Sequence, residues 1–415
     1  MTALEFLRLH NESADQIDAT TAIERFLSEM QAGLAGRGGL PMIPTYLMDV
    51  DRSKIKTNVK RILIDAGGTN FRSAIGYFDE KGDAVLSDMK NTVMPALDRE
   101  LSKDEFYGQI AKNIERLLSE AQDVGFCFSY PVEMGRDVDG VVGKSSKGVK
   151  APEVVGTRVG KETVAACKAI DGVDRRIVIL NDTVATLLGG MANTAEQFSA
   201  YLGYIYGTGT NVCYIEDTRN ISKVSNLPRG KMIINTECGG FDGFDMGDFD
   251  QKAIAKTEDP NRQLFEKMSS GKYLSGIIYE ALLAAYAEGM LQGPLHIEPF
   301  ALKDVSEFLT KGEFCCELTQ SEKDFFAEMC VELIRRAAKM GAIVNSALAI
   351  ASCKDKSLPV AIVAEGTTFH KLPYYRQFFE EYLTQILGER GISYKILQGT
   401  DLNLVGTLMA TMVLE

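Results

Sequence analysis

The chain has 415 residues, of which 45% are hydrophobic and 25% charged, a composition typical of a folded globular protein. Its formal net charge of −12 disfavours a nucleic-acid binder, because such proteins need a clustered basic face to displace counterions from phosphate. No stretch reaches the roughly 18 uninterrupted apolar residues of a membrane-spanning helix. We therefore expect a soluble, cytoplasmic protein that has neither a nucleic-acid nor a membrane partner.

The length of the chain and its few histidines limit the architecture and the chemistry. A chain this long exceeds what one hydrophobic core usually serves, so we expect two lobes with a ligand-binding cleft between them. Three histidines, none spaced four residues from another, argue against a histidine-based metal site and against a Ser/His/Asp hydrolase. The eight cysteines are scattered without a redox or zinc motif, which indicates buried thiols in a reducing compartment. Any chemistry must therefore depend on carboxylates, a lysine or a bound metal ion.

The first predicted elements are a helix and a hairpin. Apolar residues between Ile23 and Leu34 recur at helical spacing and are followed by GRGG, which predicts an amphipathic helix that ends at these glycines. After a loop, Arg61–Asp65 has the pattern of a buried strand, and a glycine-rich turn connects it to a second strand at Ser73–Phe78. An acid, Asp65, therefore ends an apolar strand and faces a turn of small residues.

Strands and helices alternate through the rest of the chain. A helix is predicted around Ile110–Leu118, and strands are predicted at Gly125–Pro131 and Arg175–Asp182, the second of which leads into the helix TVATLL. Residues Ser199–Ile215 repeat the strand, glycine turn and strand of the first hairpin, and both hairpins contain the tripeptide GTN. A third turn of the same kind, in PVAIVAEGTTF, follows an apolar helix. This alternation predicts an α/β protein with mixed sheets, in which two lobes of similar plan each present a glycine turn to a shared cleft.

Glycine-rich turns of this kind bind anions, because several backbone N–H groups point at one ligand without any net positive charge. The chain has neither a P-loop motif nor a GxGxxG motif that opens a helix, so any phosphates would be held by the two hairpin turns. Beside a polyphosphate, Asp65 would hold a hydrated Mg²⁺, which keeps several waters and takes few protein ligands. From the residues alone, a plain tight hairpin remains an equal alternative for each turn, and a turn-forming role remains open for Asp65.

These turns belong to a longer series of segments that resembles one known family. The segments are EMQAGL, MIPTYL, IDAGGTNFR, GFCFSYP, SKGVKAP, LNDTVATLL, GTGTNVCYIE, INTECGGF, FEKMSSGKYL and AEGTTF. Their content and order resemble the hexokinase and glucokinase family within the actin-like ATPase-fold superfamily. The resemblance implies an α/β, two-lobed actin-like ATPase (ribonuclease H-like) fold with mixed sheets and an interlobe cleft. We expect residues 59–187 and 399–415 in a small lobe, and residues 1–58 and 188–398 in a large lobe.

The resemblance also implies which residues carry out the chemistry. Asp182 matches the catalytic base that takes the proton from the sugar's 6-hydroxyl as this oxygen attacks the γ-phosphate of ATP. Lys147 matches the lysine that reaches the sugar and the transferring phosphoryl group, where charge neutralisation contributes more than proton removal because the transition state is loose. From spacing alone, Asp182 would instead be a helix N-cap, a role compatible with catalysis, and Lys147 would be a solvated lysine in a glycine-rich loop.

A hexose pocket needs groups that donate and accept hydrogen bonds, because each sugar hydroxyl does both. The residues that match the family's sugar-binding set are Ser129, Ser146, Lys147, Asn181, Asp182, Asn211, Glu237 and Glu266. Without the resemblance, Glu237 and Glu266 would pass for ordinary surface acids.

The nucleotide side of the site follows from the same resemblance, with ATP as the donor and Mg²⁺ as its accompanying ion. The matching residues are Asp65, Gly67, Gly68, Thr69, Asn70, Arg72, Gly207, Thr208, Gly209, Gly366 and Thr367. Asp65 would hold Mg²⁺ through water, while Gly366 and Thr367 would approach the adenosine. For Arg72, an ion pair with a nearby acid is as well supported by the sequence as a phosphate contact.

The chain departs from the family pattern in several places. It contains no tryptophan, and Cys238 and Ser145–Ser146 stand where the family has tryptophan. Near the C-terminus, the family's glycine- and serine-rich nucleotide segment becomes GTDLNLVGTL, residues 399–408. The resemblance therefore says least about the adenine contacts and the choice of nucleotide.

The sequence as a whole predicts a kinase that phosphorylates glucose, or a related hexose such as mannose or fructose, as a monomer or homodimer. Closure of the lobes on the sugar would exclude water, which otherwise competes as phosphoryl acceptor. The alternatives are a kinase of a different sugar on the same superfold and a hexokinase-like sensor or regulator that binds sugar without useful turnover. An actin-like or chaperone-type ATPase would lack the NDTVATLL and FEK segments.

Overall fold

The computed structural model describes residues 1–143, 148–292, 297–313 and 318–414. Two residues expected at the site, Ser146 and Lys147, lie outside these ranges. In chain order, the helices and strands are α1 (Ala3–Leu9), α2 (Ala19–Leu34), β1 (Ile43–Met48), β2 (Arg61–Gly67), β3 (Asn70–Phe78), β4 (Ala84–Val93), α3 (Lys103–Ile114), β5 (Asp123–Phe128), β6 (Val132–Met134), β7 (Gly140–Val142), α4 (Val159–Asp171), β8 (Arg176–Leu180), α5 (Asp182–Ala192), β9 (Ala200–Tyr206), β10 (Thr210–Asp217), β11 (Lys231–Asn235), α6 (Asp248–Ala255), α7 (Leu264–Ser269), α8 (Leu274–Ala287), α9 (Leu302–Lys311), α10 (Gln320–Ser352), β12 (Val360–Glu365), α11 (Thr367–Lys371), α12 (Tyr375–Gly388), β13 (Tyr394–Leu397) and α13 (Leu402–Ala410).

Two mixed sheets form the scaffold, and they share one plan. The strand order is β4-β3-β2-β5-β8 in the first sheet and β1-β11-β10-β9-β12-β13 in the second. In each sheet the first strand of an antiparallel hairpin, β2 or β9, also pairs in parallel with a later strand, β5 or β12. A further parallel strand, β8 or β13, completes the shared plan, and β1 extends the second sheet beyond it. The predicted α/β architecture with mixed sheets is therefore confirmed.

The two predicted hairpins are present, but the third glycine turn differs from them. In the first hairpin, β2 runs to Gly67 and β3 begins at Asn70, so the strands reach closer to the turn than the sequence predicted. The third turn, at Gly366, leads from β12 into α11 and not into a second strand. Expecting a site of the same kind there was wrong, because β12 pairs in parallel with its neighbours and parallel strands need crossover connections.

Helices α5 and α13 pack against each other between the two sheets. A Cβ atom on Gly406 would overlap the carbonyl oxygen of Ala185, and one on Gly189 would overlap that of Leu402. These pairs place the two helices antiparallel, with their backbones closer than any side chain would allow. The surrounding apolar cluster includes buried residues of β2, β5 and β8 from the first sheet and of β10 and β11 from the second. The helix pair thus forms a core shared by both sheets.

The boundaries of the two lobes stay a prediction. The expected boundary at residue 187 divides α5, whose buried residues pack into the core that both sheets share. Among the helices of the described ranges, including the 33-residue α10, none combines the length and apolar character needed to cross a bilayer.

A buried ion cluster fixes α10 to the amino-terminal segment. Arg336 is 2% exposed, and its Nη1 lies 3.1 Å from Oδ1 of Asp250 and 3.1 Å from Oε2 of Glu12. The backbone N–H groups of Phe249 and Asp250 donate to Oε1 of Glu12, each at 2.9 Å. Burial raises the pKa of Glu12 to about 8, against the attraction of the guanidinium. The charge of Arg336 thus balances that of Asp250, while the raised pKa keeps Glu12 mostly protonated at neutral pH, so that neither acid is left as an unpaired charge in the interior.

We expect Arg336→Met to lower the free energy of unfolding by about 3–5 kcal/mol, because it leaves two buried carboxylates without their cation. The loss should be larger at pH 8 than at pH 5. A carboxyl whose pKa is raised in the folded state contributes stability that is fully present below its ordinary pKa and is lost as the pH rises through the raised value. Because the guanidinium lowers the pKa of Glu12, its removal raises this pKa further, and the variant loses more stability than the wild type as the pH rises. Chemical denaturation at both pH values measures the effect.

The neighbouring Arg335 provides the control for this prediction. Its side chain is 32% exposed, pairs with Glu332 and lies over the ring of Phe378. Arg335→Met should therefore cost less than about 1 kcal/mol, the usual range for an exposed ion pair. Equal losses in the two variants would contradict the role assigned to the buried cluster.

Candidate active site

Three parallel strands of the first sheet bring polar residues to one edge. Asp65 on β2 lies opposite Cys127 on β5, and Cys127 lies opposite Leu180 on β8. Because parallel strands end at the same edge of a sheet, Asp65 lies at the edge where Ser129 and Asp182 follow β5 and β8. Burial raises the pKa of the Cys127 thiol, and the carboxylates of Asp65 and Asp182 raise it further. The thiol thus lies close to both acids.

Asp182 is the first residue of α5, and the N-cap of this helix is Asn181. The Asn181 side chain accepts a hydrogen bond from the backbone N–H of Thr183 at 2.8 Å. The N-cap alternative for Asp182 is therefore wrong by one residue. Oδ1 of Asp182 accepts from the same N–H at 2.8 Å and from the Thr183 hydroxyl at 3.3 Å. No hydrogen bond within the described ranges uses its Oδ2.

The second sheet contributes a network of amides and an acid that reaches Asp182. The side-chain amide of Asn211, on β10, donates to Oγ1 of Thr183 at 3.1 Å and to Oδ1 of Asn235 at 2.7 Å. It also lies 3.3 Å from Oε1 of Glu237, which accepts a second bond from Asn235 at 2.7 Å. Hydrogen bonds thus connect the start of α5 to the loop that follows β11.

Glu266 packs against the second glycine turn, residues 207–209. Its Oε2 accepts from the backbone N–H of Thr210 at 3.2 Å and occupies the space that a Cβ atom on Gly209 would need. The turn is closed by a bond of 2.9 Å from the N–H of Gly207 to the Gly209 carbonyl. The small size of Gly209 therefore allows an acid from α7 to lie beside the start of β10.

The second and third glycine turns form one surface. A Cβ atom on Gly366 would overlap the carbonyl oxygen of Tyr206 and lie 3.0 Å from the backbone nitrogen of Gly207. Gly366 also has φ of 123°, which L-residues with side chains rarely adopt. Thr367, the first residue of α11, and Thr208 are exposed beside this contact. The predicted phosphate and adenosine residues of the second sheet are thus adjacent.

The first glycine turn lies near the acids at the edge of the first sheet. Gly67 approaches Ser129 so closely that a Cβ atom would lie 3.0 Å from the serine Oγ. The carbonyl of Gly68 accepts a bond of 3.1 Å from the hydroxyl of Tyr130. The next two residues of the turn, Thr69 and Asn70, are exposed. The turn is thus held by the segment that follows β5.

Arg72 forms ion pairs with two acids. Its Nε lies 3.0 Å from Oδ2 of Asp65, its partner across the hairpin, and its Nη1 lies 3.0 Å from Oδ1 of Asp401. Burial lowers the pKa of Arg72, but the two carboxylates outweigh this effect and the pKa is raised. Of the two alternatives for Arg72, the structure therefore contains the ion pair.

The described residues contain no group of three or more His, Cys, Asp or Glu side chains that would hold a metal ion alone. Mg²⁺ that accompanies phosphates needs only one or two carboxylates, because water and phosphate oxygens complete its shell. Asp65 fits this requirement in donor type and in its place beside the first turn. The side chain of Asp65 is 7% exposed, so its carboxylate would bind a water of the metal ion through its accessible part.

Three residues of the site were not predicted. Thr183 and Asn235 connect the expected sugar-binding residues, and Asp401 binds Arg72. Thr183 and Asn235 lie within the segments LNDTVATLL and INTECGGF. Their positions next to predicted site residues could therefore have indicated that they belong to the site. Asp401 lies in the segment that departs from the family pattern.

Comparison with known proteins identifies related sequences along most of the chain. Two family models, both described as hexokinase, match residues 5–192 and residues 201–413. Hexokinase-2 of Candida albicans is 28% identical over 407 residues, an alignment that covers 88% of this chain and 81% of that protein. Hexokinase-2 of Saccharomyces cerevisiae is 25% identical over 422 residues, covering 92% of this chain and 85% of that protein.

Solved structures share the fold over nearly the full length. The hexokinase of Schistosoma mansoni, solved in complex with glucose, superposes with a TM-score of 0.80 at 20% identity and covers 99% of this chain and 98% of its own. Another hexokinase crystal structure superposes with a TM-score of 0.81 at 19% identity, covering 100% of this chain and 98% of its own. The expected actin-like ATPase fold is therefore confirmed.

We expect Gly366→Ala to lower the free energy of unfolding by about 2–5 kcal/mol, because the methyl group combines an unfavourable backbone angle with overlap of the Tyr206 carbonyl. Thermal and chemical denaturation measure the loss. Gly388→Ala is the matched control, since a Cβ atom there meets nothing within 4 Å. If both variants are equally stable, the second and third turns do not depend on the close contact described above.

Proposed function

This chain belongs to the hexokinase family of sugar kinases, and from that premise we propose that it transfers the γ-phosphoryl group of ATP to the 6-hydroxyl of glucose or a related hexose. The network that connects Asp182 to Glu237 through Asn211 is the observation that carries the proposal. Its amides and carboxylates offer the donors and acceptors that sugar hydroxyls require. The glucose bound by the Schistosoma mansoni relative makes glucose the first choice.

Asp182 is the proposed catalytic base. Its Oδ1 is held by Thr183, which leaves Oδ2 to accept the proton of the attacking hydroxyl. Ser129, Asn181 and Asn211 would exchange hydrogen bonds with the other hydroxyls, and the carboxylates of Glu237 and Glu266 would accept hydrogen bonds from them, which would orient the sugar. Orientation contributes more than proton removal, because the transition state of phosphoryl transfer is loose. Lys147, which lies outside the described residues, is proposed to neutralise charge on the transferring group, with Ser146 beside it at the sugar.

The nucleotide is proposed to bind between the glycine turns. Residues 67–70 of the first sheet and 207–209 of the second would direct backbone N–H groups at the phosphates, and Gly366 with Thr367 would contact the adenosine. When bound with ATP, Mg²⁺ would neutralise charge on the phosphates. The side chain of Asp65 would orient one of its waters. Closure of the proposed lobes around the sugar would exclude competing water.

We place the protein in the cytoplasm, as a monomer or homodimer. Free cysteines, most of them buried, support a reducing compartment.

We expect Asp182→Ala to lower kcat by about two to four orders of magnitude, the usual span for loss of a general base, while glucose binding changes by a modest factor. A coupled assay of ADP release measures kcat, and calorimetry measures glucose affinity. Asp182→Asn separates chemistry from structure, because an amide Oδ1 still accepts the Thr183 hydrogen bonds. Near-wild-type turnover in either variant would reject Asp182 as the base.

We expect Asp65→Asn to weaken the dependence of turnover on Mg²⁺ and to slow catalysis, with little change in glucose affinity. The reason is that a neutral amide attracts a metal-bound water less than a carboxylate does. Titration of activity with Mg²⁺ at saturating sugar measures the shift. Because Asp65 pairs with Arg72, a melting curve should accompany the titration. An unchanged Mg²⁺ titration in a folded variant would exclude Asp65 from the metal site.

A further inference from the structure

Asp401 has an unfavourable backbone conformation and pairs with an arginine that is distant in the sequence. It precedes α13 with φ of 52°, a left-handed backbone that few residues other than glycine adopt. Its Oδ1 lies 3.0 Å from Nη1 of Arg72, which comes from the first hairpin far away in sequence. Aspartate tolerates this backbone better than most residues, but glycine would tolerate it best. The backbone conformation of the turn therefore does not explain why an aspartate stands at position 401.

The surroundings of Arg72 are rich in negative charge. Asp65 pairs with its Nε, and Asp401 pairs with its Nη1. A third acid, Glu365 at the end of β12, lies within the electrostatic range of this cation: burial raises the pKa of Glu365, while His370 and Arg72 lower it. One guanidinium is thus paired with two carboxylates, beside the turn proposed to bind phosphate. A polyphosphate that enters here must compete with carboxylates for the same cation.

We propose that Asp401 is an intramolecular substitute for a nucleotide phosphate: it occupies Arg72 in the nucleotide-free protein and must give up this arginine when the phosphate chain binds. Asp401 is therefore a determinant of nucleotide affinity that acts through Arg72. The inference rests on the proposed role of residues 67–70 and Arg72 in nucleotide binding.

The geometry of the ion pair suits an exchangeable contact. The side chains of Arg72 and Asp401 are 31% and 33% exposed, whereas that of Asp65 is 7% exposed. A partly exposed ion pair is weak and screened by salt, so a phosphate group with higher charge displaces it readily. The buried Asp65 keeps the arginine in place during this exchange. Arg72 thus retains one carboxylate and releases the other.

Asp401→Asn tests the proposal, because asparagine keeps the shape and the left-handed backbone but removes the charge. We expect affinity for a non-hydrolysable ATP analogue and for inorganic tripolyphosphate to rise about threefold to tenfold, the span for loss of a weak ion pair and one nearby like charge. The KM for ATP should fall in parallel, while the dissociation constant for glucose stays unchanged. Calorimetry measures both ligands.

Asp104→Asn is the matched control for net charge. Asp104 lies on α3, and its side chain is 91% exposed. Because a distant exposed charge is screened by salt, this variant should change tripolyphosphate affinity by less than about 1.5-fold at physiological ionic strength. An equal gain in the two variants would overturn the proposal.

The Arg72→Gln background shows whether Asp401 acts through Arg72. There, Asp401→Asn should change affinity by less than about twofold, since the contact it relieves is already gone. The same gain with and without Arg72 would overturn the proposal in favour of simple repulsion. If Arg72→Gln does not fold, Arg72→Lys replaces it, because lysine keeps the charge but lacks the forked group that bridges two acids.

The outcomes for the two proposals are distinct. If the wild-type protein binds the ATP analogue and Asp401→Asn binds it equally or more weakly, the role of Asp401 is rejected and the proposed function stands. If the wild-type protein binds no nucleotide, both fall.

Discussion

The close contact of α5 with α13 is the constraint on which the arrangement of the two sheets depends. These helices meet at glycines, so their backbones approach without side chains between them, and both sheets pack on the pair. Because the helices are antiparallel, the start of α13 lies beside Gly189, seven residues beyond Asp182. At 1.5 Å per residue, this is about 10 Å along the axis. The length of α5 thus sets the distance between the proposed base and the acid that holds Arg72.

The charge distribution explains how an acidic chain can offer a site to an anion. The cation beside the first turn is paired with Asp65 and Asp401, so it contributes little free positive charge. The proposed phosphate binding would then depend on backbone N–H groups of the turns, which carry partial charges and are not neutralised by acids. In the proposed exchange, Arg72 would contribute only by giving up one anion for another, so the affinity for nucleotide would depend on the carboxylate that Arg72 releases.

Local patterns made much of the fold predictable, and distant contacts set the limit. Both hairpins were predictable because apolar strands and glycine turns are signals within a few residues. The pair Arg72 and Asp401 is separated by 329 residues, and spacing rules do not extend so far. The buried cluster around Arg336 could not be predicted either, because no pattern in the neighbouring sequence indicates that a charged residue is completely buried. Asn181 and Asp182 are both good caps, and only the structure shows that Asn181 is the N-cap and Asp182 the first residue of the helix.

The two GTN tripeptides show how one residue of loop length changes the role of a side chain. The first hairpin has a loop of two residues, and its Asn70 forms the last pair of the ladder, opposite Gly67. The second has three loop residues, so its asparagine lies one position deeper, where Asn211 pairs with Ile205. Successive strand residues point to opposite faces of the sheet. A shift by one position from the turn therefore moves the asparagine side chain to the other face. Asn70 is consequently exposed at the turn, whereas Asn211 connects the start of α5 to the acid after β11. The repeated motif would therefore serve the proposed nucleotide turn in one sheet and the proposed sugar pocket in the other.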